Sequence, residues 1–472
     1  MSNDNPIHDA QPSVHQFDAI IIGAGQAGPS LAGRLNAAGK RVAIIERHLV
    51  GGTCVNTGCK PTKTLVASAY AVHTARRGGE YGFSTGEVDV DMPAVAARAR
   101  QVIDDSRGSN EAWLDGMLNV ELIRGHARFI GSKLVEVNGQ HLTAPNIFIN
   151  VGGRPGIPDL PGLMNVPFMT NAGMVALDVL PRHLIVIGGS YIGLEFAQMY
   201  RRFGAEVTLI ERSDRLIPRE DPDISAAVRR ILEGEHIKVL TSASRIEFRS
   251  DGQDTTILLE TEAGPTAIVG SHVLVATGRV PNTDALGLDA AGIACDEHGY
   301  IRVDERLQTT VDGVYALGDC NGQGTFTHTA YNDFEIVAAN LLDGDDRHVS
   351  SRVSSYALFI DPPLARVGLT QAQAVATGRP LLYSKREMTR VGRAVEKGET
   401  KGFMTVIADA ETRQVLGAAI LGTGGDEAIH GLLNMMNAER TIDEIRWAVP
   451  IHPTVAEFFP TMMLDLKAQA QA

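Results

Sequence analysis

The sequence predicts an α/β protein built from two copies of one βαβ unit and closed by a smaller α+β domain. Three observations carry this. FDAIIIGAGQAGPSLAGRLNAAGKRVAIIER starts at Phe17, and HLIVIGGSYIGLEFAQMYRRFGAEVTLIER starts at His183. In both, an apolar run enters a glycine-punctuated turn, a helical stretch follows (of small residues in the first copy), and a second apolar run ends on an acid. The spacing from first glycine to terminal acid is 23 positions in each copy, from Gly23 to Glu46 and from Gly188 to Glu211. Third, the pattern changes character after about residue 350. KGFMTVIADAETRQVLGAAILG reads as two strands around a turn, and 424–440 reads as an amphipathic helix with Ile429, Leu432, Leu433 and Met436 on one face. That last region has no glycine fingerprint and is a candidate for subunit contact.

The chain has 472 residues, long enough for about three domains. Residues 1–16, MSNDNPIHDAQPSVHQ, are polar, lack a basic stretch leading into an apolar core, and read as a loosely ordered tail. The first strand is expected at Ala19–Ile22 and the second at Val42–Ile45. The stretch 88–125 reads as helical and polar. Two short apolar strands run into Gly-Arg, at Gly153–Arg154 and Gly278–Arg279, and mark points where the chain passes between domains. The expected division is therefore 17–152, 153–280, 281–350 and 351–472. A net charge of −13 argues against nucleic acid or an anionic membrane as main partner, and no apolar run approaches the ~20 residues of a membrane span. Four cysteines do not make a secreted disulfide scaffold, so a cytoplasmic setting is expected.

Each glycine turn follows a strand, opens a helix and reaches an acid at the next strand end, the context a dinucleotide requires. Gly23, Gly25 and Gly28 would let a pyrophosphate approach the helix N-terminus, with Glu46 accepting from ribose hydroxyls. In the second copy Ser190 replaces the middle glycine between Gly188 and Gly193. A carboxylate at Glu211 favours NADH, while Arg212 and Arg215 nearby leave NADPH open. Two such Rossmann-like domains suggest two ligands, a held flavin and a diffusing nicotinamide. The segment VDGVYALGDCNGQGTFTHTAYNDFEIVAANLL supports the flavin. Asp319, ending a strand, could bond a ribityl hydroxyl, and Thr327 precedes a helix starting near residue 328 whose positive end would favour reduced flavin.

In GGTCVNTGCKPTK, residues 51–63, Cys54 and Cys59 lie five positions apart. The pair could ligate metal, form a structural bridge, sit inert or form a redox-active disulfide. Zinc sites use tighter spacing and a second ligand pair, which Cys295 and Cys320 do not provide. A structural bridge is disfavoured in a reducing compartment. The stretch begins five residues beyond Glu46, at the end of the first βαβ unit, a position that would bring the pair beside the flavin ring.

GGTCVNTGCKPTK, the two fingerprints, YALGDC and the distant HPTVAE together resemble the class I pyridine nucleotide–disulfide oxidoreductases, over about residues 17–465. This family includes dihydrolipoamide dehydrogenase, glutathione reductase and mercuric reductase. The resemblance implies a homodimer with a C-terminal dimerisation domain, FAD, and NADH or NADPH. It implies that Cys59 faces the flavin and that Cys54 exchanges with the acceptor. Lys63 would lie near the flavin and pair with Glu195. Gly52, Thr53, Ala127 and Gly153 would join Gly23, Gly25, Gly28, Glu46, Asp319 and Thr327 around FAD. Gly188, Gly193, Glu195, Glu211 and Gly278 would serve the nicotinamide nucleotide. His452 would come from the partner subunit as acid–base for Cys54, oriented by Glu457; a His with a carboxylate partner titrates in the range a thiol needs.

The implied activity is electron transfer from NAD(P)H through flavin to the Cys54–Cys59 disulfide and on to a disulfide or metal-ion acceptor. Dihydrolipoamide dehydrogenase is one alternative. A thiol-independent diaphorase reducing quinone or Cu(II) is another. The tail FFPTMMLDLKAQAQA lacks the cysteine pair of mercuric reductases, and no N-terminal Cys motif is present. No resident metal is expected. Met462 and Met463 could meet a soft metal but suit core packing better. Lys60 stands where dihydrolipoamide dehydrogenases usually carry an aliphatic residue, and a cation there could lower the pKa of Cys59.

Overall fold

The computed structural model describes residues 13–250 and 252–468. Residues 1–12 of the expected tail lie outside that description. The chain divides into two compact units. One holds residues through Lys60, then Gln101–Arg154 and Arg279–Arg352. The other holds Pro61–Arg100, Pro155–Gly278 and Val353 onward. The breaks at residues 154 and 278 fall at the two Gly-Arg strands.

The first unit is organised on a five-stranded parallel sheet. Its order is Val314–Ala316, Asn146–Ile149, Ala19–Ile22, Val42–Glu46 and Val120–Arg124. Ile20, Ile22, Ala43, Ile45, Ile147 and Ile149 enter one buried cluster, and Ala19, Ile21, Val42, Ile44 and Phe148 enter the other. Apolar cover on both faces is why these strands read as unbroken apolar runs rather than alternating ones. The helices Ala27–Ala37 and Thr327–Ala338 contribute to the second cluster.

Val14–Gln16 corrects the expected tail. It pairs in parallel with the strand Gln140–Thr143 at the edge of a four-stranded sheet. Its three side chains are exposed, so it left no hydropathy signal; only backbone hydrogen bonds define it. Similarly, the helical reading of 88–125 holds for Met92–Asp115, whereas Val120–Arg124 is the edge strand of the parallel sheet.

The second unit repeats the parallel pattern. Lys238–Leu240, Glu206–Ile210, His183–Ile187 and His272–Val275 lie side by side, with the helix Tyr191–Phe203 following the second glycine turn. A six-stranded antiparallel sheet forms the C-terminal part, with Phe403–Asp409 and Val415–Leu421 paired at its centre. The expected helix over 424–440 is two pieces, Gly425–Ala428 and His430–Asn437. They are joined at Ile429, which itself keeps helical dihedrals (φ −57°, ψ −26°). Ile429 and Leu432 are buried; Leu433 and Met436 pack at the margin.

Between the second βαβ unit and this sheet lies a buried ionic knot. Arg366, 1% exposed, donates to Glu220 at 2.7 Å and to Asp221 at 2.6 Å, and Tyr356 donates to Glu220 at 2.6 Å. Burial opposes the Arg366 charge, but the two carboxylates outweigh it and raise its pKa. Arg366→Leu strands two carboxylates in the interior and is expected to cost about 3–5 kcal/mol. The check is a clear fall in thermal unfolding temperature, largely reversed by adding Glu220→Gln and Asp221→Asn.

Candidate active site

The two glycine turns are built alike. Gly23 has φ +106° and Gly188 φ +112°; a Cβ at either would strike a backbone carbonyl, that of Asn150 at 2.3 Å and that of Ala276 at 2.4 Å. Only glycine fits there. Each terminal acid then locks its turn from both sides. Glu46 accepts from Ala24 N and His48 N, both at 2.8 Å. Glu211 accepts from Gly189 N at 2.7 Å and Ser213 N at 2.8 Å. Gly28 and Gly193 bring their helices so close that a Cβ would meet the carbonyl of Gly23 or Gly188. Ser190 is tolerated because its backbone is extended (φ −114°, ψ −173°). At the matching position in the first unit, the Gly52 backbone packs against the Gly25 Cα. Neither helix has a side-chain cap or an acid in its first turn, which leaves N–H groups directed at the turn for an anionic ligand.

The cysteines sit on two consecutive helices of the first unit's loop. Gly52–Asn56 carries Cys54, and Cys59 is the first residue of the helix that runs to Arg76. Asn56 ties this loop down by donating to Val50 O at 3.0 Å and Gly52 O at 2.9 Å. The thiols lie within hydrogen-bonding reach of each other. Chiefly that bond, and then burial, holds the Cys54 thiol far above the ordinary range, against smaller opposing pulls from Thr327 and Lys60. The Cys59 sulfur is 3.2 Å from Thr327 Oγ1, and Thr327 opens the helix to Ala338. Two helix N-termini therefore meet at one sulfur, a place that favours negative charge. Cys295 and Cys320 take no part; Cys320 is fully buried, and burial pushes its thiol up to about 12.

Asp319 does not end a strand. It lies in the one-turn helix Gly318–Asn321, three positions after the strand Val314–Ala316. Its carboxylate pairs with Arg279 at 3.3 Å, and burial pushes its pKa up despite that partner. Gly153 lies beside this carboxylate: a Cβ there would be 3.6 Å from Asp319 Oδ2. Ala127 is 3% exposed in the apolar cluster, whereas Thr53 is exposed. Gly278 has φ +132° and open space at its Cβ position.

In the second unit, Lys63 Nζ donates to both oxygens of Glu195, at 2.8 and 2.7 Å. Glu195 is buried and also accepts from Phe359 N at 3.0 Å, while the Lys63 ammonium lies 4.7 Å from the Phe359 ring centre. Further along, His452 Nδ1 lies 2.9 Å from Glu457 Oε2. The His452 side chain is 82% exposed, and Trp447, Val449 and Ile451 just before it are 77%, 96% and 79% exposed. Met462 and Met463 are buried in the C-terminal core, which answers the soft-metal question for both. Among the described residues no three His, Cys, Asp or Glu side chains gather as metal ligands.

Several residues of this neighbourhood escaped sequence reading. Asn150 donates to Gly23 O at 3.2 Å, Phe359 presents its N–H to Glu195, and Asp333 accepts from Gly318 N at 2.8 Å. Each acts through a partner distant in sequence or through its backbone. Only Asn150, a lone amide closing an apolar strand, carried any local signal.

A family profile described as pyridine nucleotide-disulphide oxidoreductase matches residues 17–333, and the dimerisation domain of that family matches 354–463. Mercuric reductase of Bacillus cereus is 33% identical over 443 residues, covering 94% of this chain and 70% of that protein. A probable pyridine nucleotide-disulfide oxidoreductase, RclA of Escherichia coli K12, is 34% identical, covering 94% and 98%. A solved structure described as the Cu(II) complex of the HOCl-induced flavoprotein disulfide reductase RclA from E. coli superposes with a TM-score of 0.87. It is 32% identical and covers 96% of this chain and all of that one.

Proposed function

We propose, from the premise that the chain belongs to the pyridine nucleotide-disulphide oxidoreductase family, that it carries electrons from NAD(P)H through FAD to the Cys54–Cys59 pair, and that Cys54 passes them to a small disulfide acceptor. The observation that carries this reading is the contact of the two thiols, with Cys59 at the convergence of two helix N-termini. Among the described residues no helix is long and apolar enough to cross a membrane.

The residues present fit FAD. An uncapped helix follows the first glycine turn, Glu46 closes that turn, and Asp319 is a half-buried carboxylate beside Gly153. Gly23, Gly25, Gly28, Gly52, Thr53, Ala127 and Thr327 would complete the holding set. FAD, when bound, supplies two-electron transfer between nicotinamide and the cysteine pair. Lys63, fixed by Glu195, would place a cation near it; Gly188, Gly193, Glu211 and Gly278 would hold the nicotinamide nucleotide.

At the acceptor, Cys54 as thiolate attacks one sulfur of the disulfide. The acceptor S–S bond breaks as the mixed disulfide forms, and the leaving thiolate takes a proton from His452. The Cys59 thiolate then displaces the second acceptor thiolate and restores the Cys54–Cys59 bond. The acceptor gains two electrons and the dithiol loses two. Glu457 would orient the His452 ring, and the exposed Trp447, Val449 and Ile451 beside it support delivery of His452 to the site of a second subunit. A metal-ion acceptor is the second reading, favoured by the likeness to mercuric reductases and to a structure solved with Cu(II).

Anaerobic titration tests the electron relay. NADH is expected to deliver one electron pair to the flavin and another to the disulfide, and two thiols become countable with a thiol reagent. Uptake that ends with the flavin and yields no thiols overturns it. A panel of disulfides, Hg(II), Cu(II) and quinones then separates the acceptor readings. Because Glu211 keeps a carboxylate at the second turn while Arg215 Nη2 donates to Pro218 O at 3.1 Å, NADH is expected to be preferred. The ratio of kcat/KM for NADH over NADPH should be about tenfold or more, the worth of one charge-assisted hydrogen bond.

A further inference from the structure

Lys60 follows Cys59 directly, and a single neighbouring helix grips the cysteine loop at two points. Lys60 Nζ donates to Ser106 Oγ at 2.9 Å. The next residue on that helix, Arg107, donates to Asn56 Oδ1 at 3.4 Å and pairs with Asp104 at 2.6 Å. Asn56 is the residue that ties down the helix bearing Cys54. A hydroxyl tether fixes the Lys60 ammonium in place without cancelling its charge. Its field reaches Cys54, where it pulls against the hydrogen bond that the thiol donates to Cys59 and the burial that hold it high.

We propose that Lys60, held by Ser106, is a specificity-determining residue that selects acceptors bearing negative charge beside their reacting atom for exchange at Cys54. This rests on the reading that Cys54 is the exchanging thiol. A helix-surface lysine with no such role would be fully solvated and would swing freely. Here the ammonium is tied to the helix that also braces the cysteine loop, which holds its charge to that side of the loop. The same charge opposes cationic acceptors, which weighs against simple metal aquo ions as the physiological partner.

Two alkylating reagents of similar size and reactivity type, iodoacetate (anionic) and iodoacetamide (neutral), isolate the charge effect. Each forms a carbon–sulfur bond with the Cys54 thiolate and releases iodide. The FAD-bound full-length enzyme is reduced with NADH, and modification of Cys54 is followed by mass spectrometry with site assignment by fragmentation. A unit charge near the sulfur in partly solvated surroundings is worth roughly three- to tenfold in rate. Lys60→Gln is therefore expected to lower the iodoacetate-to-iodoacetamide rate ratio by roughly that factor. Lys60→Arg should retain most of the wild-type ratio. Ser106→Ala should lower it part of the way, and high salt should bring the wild type towards Lys60→Gln. An unchanged ratio in Lys60→Gln overturns the proposal, as does an equal fall with both reagents, the signature of a purely structural role. If Cys54 is alkylated equally before and after NADH, the disulfide reading itself fails, an outcome independent of the Lys60 ratio.

Discussion

Cys54→Ser is expected to abolish turnover with a disulfide acceptor, by about a thousandfold or more, while NADH still reduces the bound flavin at close to the wild-type rate. The size follows from the chemistry. A serine hydroxyl at this position is not ionised at neutral pH and cannot exchange with a disulfide, and Cys59, left without Cys54, has no thiol to close a disulfide with, so any exchange it begins stops at the mixed disulfide. Cys320 is fully buried and hydrogen-bonded to the carbonyls of Ile149 and Leu317, and Cys295 has no place in the loop. Cys59→Ser should fail differently. Its Cys54 can begin the exchange but nothing resolves the mixed disulfide, so a single acceptor half should accumulate on the protein and be visible as a mass increase. Steady-state assays with the disulfide, and separately with a quinone or Cu(II), check both. Unchanged turnover of the physiological acceptor in Cys54→Ser would mean that electrons leave the flavin directly, as in a thiol-independent diaphorase.

His452→Ala is expected to lower disulfide turnover by about a hundred- to ten-thousandfold, the usual worth of a positioned acid–base group. Cys54 is the reason the effect should be large. Its hydrogen bond with Cys59, and its burial, hold the thiol well above the ordinary range, so it stays protonated through neutral pH and depends on an external base. In the wild type, His452 is the group that takes the Cys54 proton. In the alanine variant the remaining activity should rise only at more alkaline pH, where Cys54 ionises unaided. A variant merely destabilised would lose activity at all pH values alike. Glu457→Gln, which keeps a hydrogen-bonding oxygen 2.9 Å from the ring but removes its charge, should show a smaller loss in the same direction. Mixing inactive Cys54→Ser and His452→Ala subunits provides the test of subunit sharing. If His452 acts across the dimer, mixed dimers regain one intact site of two; no recovery excludes action in trans.

Much of the fold was legible because its signals are local. The matched spacing of glycines and acids in the two βαβ units lies within single stretches of about thirty residues. The structure adds the reason for it: Glu46 and Glu211 each lock their own turn through two backbone N–H groups. The C-terminal strands were legible as two apolar runs around a turn. Two elements were hidden for opposite reasons. Val14–Gln16 has exposed side chains and is a strand only through its backbone partner. Asp319 was placed at a strand end because nothing local announces a one-turn helix after the strand has stopped.

The sequence by itself determined the two dinucleotide turns, the cysteine pair in its glycine-rich loop and the His–Glu pair five residues apart, because chemistry at short spacing is written in adjacent letters. Only the tertiary structure decided which groups surround them. Thr327 reaches Cys59 across 268 positions, Glu195 meets Lys63 across 132, and Ser106 meets Lys60 across 46. Such pairings depend on how sheets and helices pack, and packing is set by apolar surfaces that carry no record of which polar groups they bring face to face. Lys60 shows the difference most plainly. As a letter it is a lysine at a helix start; only the structure ties its ammonium to Ser106, on the helix that also holds Asn56 of the cysteine loop.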